Sequence, residues 1–355
     1  MQDWKELIFS GTVSFTEKAT RVFEYQFENN LVYKRYCIAL HRVISNSSSD
    51  IEITDSPGFA EKVKGNIIKS ARQDISAIPM FPVQGFKDAL LTCRPDSDPD
   101  LIFKSSGTSG MSRSVHPVAD AGIYRESLAK GFGHFYDPDQ SVILAYTPGY
   151  ADNPDSSLLW MLNELIKRDE SELSRFLPLD EPLDQNEIDH IRKSGRRLIL
   201  FGAAFGLVDL VESSDVALPG NSIVIETGGM KTHKREMERK EMHRILSKGF
   251  DIAPDRIHSE YGMAELLSQA YALGGNWFRP VPWMKASVRD PDDPQHDLLP
   301  YHEGLIGIID LANVHSCSFI LTGDKGIMDN EGRFQVLGRW NPKDLRGCNF
   351  LIDED

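Results

Sequence analysis

The sequence predicts an α/β protein with a largely parallel sheet, preceded by a helical stretch and followed by a β-rich one. Three observations carry this. From Asp100 onward, short apolar runs alternate with amphipathic stretches, the signature of strand–helix units. Thr16 to Arg42 carries Val22, Phe23, Tyr25, Phe27, Leu31, Val32, Tyr36 and Ile38 with no Gly or Pro, so residues 1 to about 75 read as mainly helical. After Pro280 the helical pattern stops, and Gly-, Pro- and Asp-rich turns separate short apolar runs, as in a small antiparallel subdomain. The expected organisation is 1–99 as a helical part of the same domain, 100–280 as the α/β core, and 281–355 as a small β-rich subdomain with the C-terminal tail.

In chain order, strands are expected at Leu101–Phe103, Ser141–Tyr146, Arg197–Phe201, Ser222–Glu226, Leu305–Leu311, Ser318–Leu321 and Phe334–Leu337. Their short, β-branched and aromatic runs are bounded by turn residues. Helical periodicity fits Ile123–Phe132, Ser156–Lys167, Phe205–Ser213 and Lys234–Leu246. The last is charged on most faces and reads as solvated. Arg289-Asp290-Pro291-Asp292-Asp293-Pro294 lacks the spaced ligands and closing Glu of a calcium loop, and reads as a surface turn.

Bulk composition narrows the class. The chain has 355 residues, 41% apolar and 26% charged, the balance of a soluble globular protein with a sizeable core. No apolar run approaches the roughly 20 residues of a membrane span, and Met1–Glu6 lacks the basic start of a signal peptide. Cys37, Cys93, Cys317 and Cys348 are scattered and form no CxxC, so a reducing cytoplasm is expected rather than a disulfide or zinc framework. His116, His258 and His315 lack metal spacing and read as structural. The net charge of −14 argues against a nucleic-acid partner. It also means that any polyanion must be held by local N–H groups, a few basic side chains and a metal ion.

One loop has that character. Lys104 is followed by Ser105-Ser106-Gly107-Thr108-Ser109-Gly110, where glycines let successive N–H groups converge on an anion and hydroxyls add donors. It is neither a Walker loop nor a dinucleotide fingerprint, and by composition alone a flexible linker is the competing reading. Four later segments bear on the choice. Thr227-Gly228-Gly229-Met230-Lys231 follows a strand, and Tyr261-Gly262-Met263-Ala264-Glu265 offers a ring for a purine and a carboxylate for Mg²⁺. Thr322-Gly323-Asp324 closes a strand with a carboxylate for a ribose diol, and Gly338-Arg339 adds a guanidinium.

SSGTSG, TGGMK, YGMAE, TGD and GRW, in this order, resemble the motifs of the adenylate-forming superfamily of acyl-CoA synthetases and firefly-type luciferases. HSEYGMAELLSQAY (His258–Tyr271), DLANVHSCSFILTGDKG (Asp310–Gly326) and LGRWNPKDLRGCNF (Leu337–Phe350) more closely resemble the acyl-protein synthetase family of bacterial luminescence and its phenylacetate-CoA-ligase-like relatives. The resemblance covers about Asp100 to the end. It implies the adenylate-forming large-domain architecture, with parallel sheets flanked by helices, nucleotide binding in 100–280, a small C-terminal β subdomain and no separate C-terminal lid domain.

It also implies roles. Ser105, Ser106, Gly107, Thr108, Ser109 and Gly110 would wrap the β- and γ-phosphates of ATP. Gly228, Gly229 and Gly262 would lie beside the adenine, Tyr261 would stack on it, and Glu265 would hold Mg²⁺. Asp324 would take the ribose diol, and Arg339 a ribose or α-phosphate oxygen. A carboxylic acid, of the fatty class, would become an acyl-adenylate. Near the C-terminus Cys348, beside Arg346, would accept the acyl group as a thioester before a partner protein takes it. Three features depart from the superfamily pattern: Ala264 stands where threonine is usual, Arg113 where lysine is common, and the lysine of the usual C-terminal domain has no counterpart. Lys231 or Arg339 would substitute for it in catalysis. The alternatives are an acyl- or aryl-CoA ligase, and a nucleotide-binding protein with impaired catalysis. Tyr150, Ser156–Leu158, and Trp277, Phe278, Trp283 and Met284 are candidates for contact with the acid, with core packing the competing reading for the last four.

Overall fold

The computed structural model describes residues 2–45, 57–105, 113–148, 151, 153–228 and 237–340. The chain opens with four helices, α1 (Trp4–Phe9), α2 (Phe15–Asn29), α3 (Leu31–Ser45) and α4 (Pro57–Ala71). The unbroken helical run expected from Thr16 is therefore two helices. Asn30 leaves helical geometry at φ −101° and ψ 100°. Its side-chain oxygen accepts from Tyr33 N at 3.0 Å and its amide donates to Ser316 O at 2.9 Å. An asparagine that caps one helix while reaching a distant segment breaks the run without Gly or Pro.

Gln26, on α2 and fully buried, ties this helical part to the far end of the chain. Its amide lies 2.9 Å from Asn313 O, 3.0 Å from Val314 O and 3.1 Å from Ser318 Oγ, and its oxygen accepts from Ser318 N at 3.0 Å. Truncation would strand several buried backbone groups at about 1–3 kcal/mol each. Gln26→Ala is therefore expected to lower the unfolding free energy by about 3 kcal/mol, read from urea denaturation; a loss below about 1 kcal/mol would contradict this account.

After β1 (Phe81–Pro82) and the short α5 (Gly85–Asp88) comes a separate hairpin, β2 (Leu101–Lys104) with β3 (Val115–Val118). Then α6 (Ala121–Phe135), β4 (Ser141–Tyr146), α7 (Ser157–Ile166), β5 (Arg175–Phe176), α8 (Gln185–Ser194), β6 (Arg197–Ala203), α9 (Ala204–Ser213), β7 (Ile223–Thr227), α10 (Arg239–Gly249) and β8 (Ile257–Tyr261) alternate. The antiparallel strands β9 (Ala270–Ala272), β10 (Phe278–Pro280), β11 (Met284–Arg289), β12 (Gly304–Asp310), β13 (Phe319–Met328) and β14 (Phe334–Arg339) follow. Among the described residues one sheet runs in the order β11-β12-β13-β14-β10-β9-β8-β7-β6-β4-β5, with β1 beside β13. The parallel strands β5, β4, β6, β7 and β8 pass through β9 and β10 into the antiparallel ones by continuous pairing.

Both faces of the parallel part are apolar, which is why its strands read as continuous hydrophobic runs. Ile143, Ala145, Ile199, Phe201 and Ile225 face a core built with Leu128 and Trp160 of α6 and α7. The alternate residues Val142, Leu144, Leu198, Leu200 and Val224 face a second core with Ile188, Leu207 and Leu246 of α8, α9 and α10. Side chains on a strand alternate between faces, so a helix layer is needed on each side.

Other expectations are corrected. Thr322-Gly323-Asp324 does not close a strand but lies inside β13, whose ten residues continue to Met328. Arg289 is not part of a solvated turn: it is fully buried at the end of β11 and its Nε pairs with Asp297 Oδ1 at 2.7 Å. The helix expected from Lys234 begins, among the described residues, at Arg239. The polar stretch His258–Tyr261 is a fully buried strand, a placement that no period-2 apolar pattern announces.

Candidate active site

The C-terminal ends of β7 and β8 open onto a cavity of about 570 Å³. Ligands in α/β sheets favour this edge, where strands end and backbone is bare. The cavity brings together segments far apart in sequence: Ser105 and Arg113 at the base of the hairpin loop, Gly228, Gly262 to Glu265, Gly323 and Arg339. Gly228 has φ +100°, a conformation that favours glycine. Of the other candidates, Ser106 to Gly110, Tyr150, Gly229, Lys231, Arg346 and Cys348 lie outside the described residues.

The loop of hydroxyls and glycines joins β2 to β3 and is a hairpin connection. Its base is closed by Ser105 N donating to Ser114 O at 3.1 Å and Ser114 N donating to Ser105 Oγ at 2.9 Å. The Arg113 guanidinium donates to the carbonyls of Ser105 and Lys104. Lys104 also lines the cavity and pairs with Asp155 at 2.8 Å. A lysine directly before such a loop is a signal that the sequence contains.

Tyr261, Asp324 and Arg339 form one constellation. Tyr261 is buried with its ring beside Phe278 and Phe334, and its hydroxyl donates to Asp324 Oδ2 at 2.9 Å. Asp324 and Arg339 are register partners on β13 and β14, with Nε 3.2 Å from Oδ1. Burial pushes the Asp324 carboxyl up, against the pull of Arg339 and the Tyr261 hydroxyl. Arg339 itself is largely exposed and lines the cavity.

Glu265 is buried and lines the cavity. Its loop is held from beneath by the DLAN segment. Asn313 Nδ2 donates to Glu265 O at 2.7 Å, and Asp310 accepts from Leu267 N at 2.8 Å and from Ser268 Oγ at 2.6 Å. Burial raises Asp310 to about 6 despite those donors. From the hairpin, His116 Nδ1 meets Ala264 O at 2.8 Å. A carbonyl only accepts, so Nδ1 carries the proton, and burial lowers this imidazole to about 4. His116, Asn313 and Ser316 also border a small space of about 10 Å³, the room one water takes. His258 (with Tyr136) and His315 (with Tyr25 and Arg94) are likewise buried imidazoles, each lowered to about 4 chiefly by burial.

Ser156, Ser157 and Leu158 line the cavity, whereas Phe278, Trp283 and Met284 pack in the core and Trp277 lies against Tyr301. Cys37, Cys93 and Cys317 are free and buried; burial pushes all three thiols up, Cys317 to about 12.

Glu260 lines the cavity with a carboxyl of displaced acidity. Burial, with repulsion from Glu226, raises its carboxyl from 4.5 to about 7, although Thr227 Oγ1 donates to it. Tyr124, Tyr136 and Tyr271 also face it. Between pH 4.5 and 7 the folded protein keeps a proton that the unfolded chain has released. Stability from this group is thus complete below pH 4.5 and lost as pH rises through 7. Glu260→Gln is expected to gain up to about 3 kcal/mol relative to wild type over that window, measured by urea unfolding at each pH. A difference that does not vary with pH would contradict the assignment.

The fold is one shared with adenylate-forming enzymes. A 2-hydroxyisobutyryl-CoA ligase in its open conformation superposes with a TM-score of 0.60 at 11% identity, over 96% of this chain and 74% of that one. An ATP-bound MatB from Rhodopseudomonas palustris gives 0.48 at 16% identity over 79% of this chain, which spans 56% of that protein's length. The chain belongs to the family described as Acyl-protein synthetase, LuxE, which matches residues 171–355. It is also 24% identical to the long-chain-fatty-acid–luciferin-component ligase of Vibrio harveyi, over 98% of this chain and 92% of that protein. Among the described residues no helix is long and apolar enough to cross a membrane.

Proposed function

We propose that the chain activates a carboxylic acid of the fatty class with ATP and passes the acyl group to a cysteine thiol. The observation that supports this best is the convergence of Ser105, Gly228, Gly262, Glu265 and Arg339 on one cleft, with Tyr261 and Asp324 joined beside it. The name of the Vibrio harveyi relative supports a long-chain fatty acid and an acceptor protein. In this reading Ser105 to Gly110 cradle the β- and γ-phosphates. Gly228, Gly229, Gly262 and Tyr261 shape the adenine site, and Asp324 and Arg339 take the ribose and α-phosphate. Lys231 adds a cation near the reacting centre.

The residues present fit Mg²⁺. Glu265 supplies one hard oxygen ligand at the cavity wall, and among the described residues no group of three His, Cys, Asp or Glu side chains forms a metal set. A single carboxylate completed by substrate phosphates is how Mg²⁺ is usually held, and the ion supplies charge neutralisation at the phosphates.

In the first step a carboxylate oxygen of the acid attacks the α-phosphorus, the bond to the β-phosphate oxygen breaks, and pyrophosphate leaves. Arg339, Arg113 and Lys104 offset the negative charge that gathers in the cleft. In the second step the Cys348 thiolate attacks the acyl carbonyl, a thioester forms and AMP leaves. A reducing cytoplasm keeps such a thiol free. Acid-dependent exchange of labelled pyrophosphate into ATP tests the first step. Exchange with at least one fatty acid is expected, and none with any acid at saturating Mg-ATP would overturn the reading.

A further inference from the structure

Strand β8 separates two environments. Successive side chains of a strand point to opposite faces, so Tyr261 and Glu260 part company. Tyr261 turns toward Asp324, the nucleotide side in the reading above. Glu260 turns to the other face, where it stands in register between Thr227 of β7 and Tyr271 of β9. Hydroxyl, carboxyl and hydroxyl thus form a row across three strands. The Tyr271 hydroxyl is buried without a hydrogen-bond partner among the described residues.

Tyr124 of α6 and Leu158 and Met161 of α7 line the same cavity as Thr227, Glu260 and Gln269. With the nucleotide on Tyr261, Asp324 and Arg339, an acid whose carboxylate reaches the α-phosphate extends its chain into this remaining arm. A plain hydrocarbon would meet Leu158 and Met161 on one side and leave a buried carboxyl without a new partner on the other. Sites built around a hydrogen-bonding group discriminate strongly against ligands that lack the complement. Gly262 leaves room for this carboxyl, because a Cβ there would meet Glu260 Oε1.

We propose that Glu260 is a specificity-determining residue whose carboxyl group hydrogen-bonds a hydroxyl carried on the acyl chain, so that the preferred substrate class is a hydroxylated carboxylic acid. This rests on the adenylation reading. A buried carboxyl near neutrality, able both to donate and to accept, suits a hydroxyl. Glu226, whose charge repels that of Glu260, is engaged at Oε1 by Arg239, His243 and Ser259.

The test is pyrophosphate exchange by the full chain with matched pairs of straight-chain acids, plain and hydroxylated at successive positions. At one position or more the hydroxy acid is expected to show about tenfold higher kcat/KM than its plain counterpart. Glu260→Leu should reverse that ratio through the KM of the acid, leaving the KM of ATP in place, while Glu260→Gln should keep the preference. A wild-type preference for the plain acid at every position, or an unchanged ratio in Glu260→Leu, would overturn the proposal. If no acid supports exchange, the adenylation reading fails by itself. Calorimetric binding of the same pairs to wild type then decides, equal affinities for the plain and hydroxylated acids at every position overturning the role of Glu260. If Glu260→Leu does not fold, Glu260→Met takes its place, with the same reversal expected and an unchanged ratio overturning the proposal.

Discussion

Replacing Cys348 with alanine is expected to abolish the acyl–protein adduct completely while pyrophosphate exchange continues. The chain has four cysteines, and three are buried with thiols held protonated far above neutral pH. The thiolate is the nucleophile, so Cys37, Cys93 and Cys317 are poor acceptors as well as inaccessible ones. Cys348 lies two residues after Arg346 in sequence, and a neighbouring guanidinium favours a thiolate. Intact-mass measurement after incubation with acid and Mg-ATP should show one acyl group per chain, labile to hydroxylamine as a thioester is. That signal should vanish in Cys348→Ala and persist in the other three alanine variants. An adduct that survives in Cys348→Ala would place the acceptor elsewhere. Free acyl-CoA formed in the presence of coenzyme A, with no adduct, would make the enzyme a CoA ligase.

Asp324→Ala is expected to raise the KM for ATP by about a hundredfold. The carboxyl group is the junction of the Tyr261 hydroxyl and the Arg339 guanidinium, on a strand interior that keeps it buried. Truncation removes the acceptor proposed for two ribose hydroxyls and releases Arg339 from its partner. Hydrogen bonds to a charged group contribute about 1.5–3 kcal/mol each, and 1.4 kcal/mol is a factor of ten. Losing two, partly offset because Tyr261 and Arg339 already occupy the carboxylate, amounts to about that hundredfold. Asp324→Asn should fall between. An unchanged ATP KM in Asp324→Ala would remove Asp324 from the nucleotide site.

Much of the parallel core was readable before any coordinates. Ser141–Tyr146 and Arg197–Phe201 are apolar on both faces, so their burial and strand character are written in composition. The segments carrying Ser105, Gly228, Gly262, Glu265 and Arg339, which the fold brings to one cleft, are legible as a set because motif order is a one-dimensional property. Glu260 is not. A carboxylate between His258-Ser259 and Tyr261 looks solvated, and its acidity is displaced only because β7, β9 and α6 exclude water around it. Asp310 and Asn313 give no sign of their role in the sequence, since they hold Leu267, Ser268 and Glu265, all more than forty positions away.

The sequence by itself determined which local segments can be strands, helices and ligand loops, because side-chain period and backbone freedom act over a few residues. It also determined the family. Tertiary structure alone decided that Asn30 breaks the first helical run, that TGD lies within a strand, and that Tyr261 and Glu260 look into opposite sides of the sheet. Those outcomes depend on which distant groups come within hydrogen-bonding distance and how much water is removed around them, and neither quantity is a property of neighbouring residues.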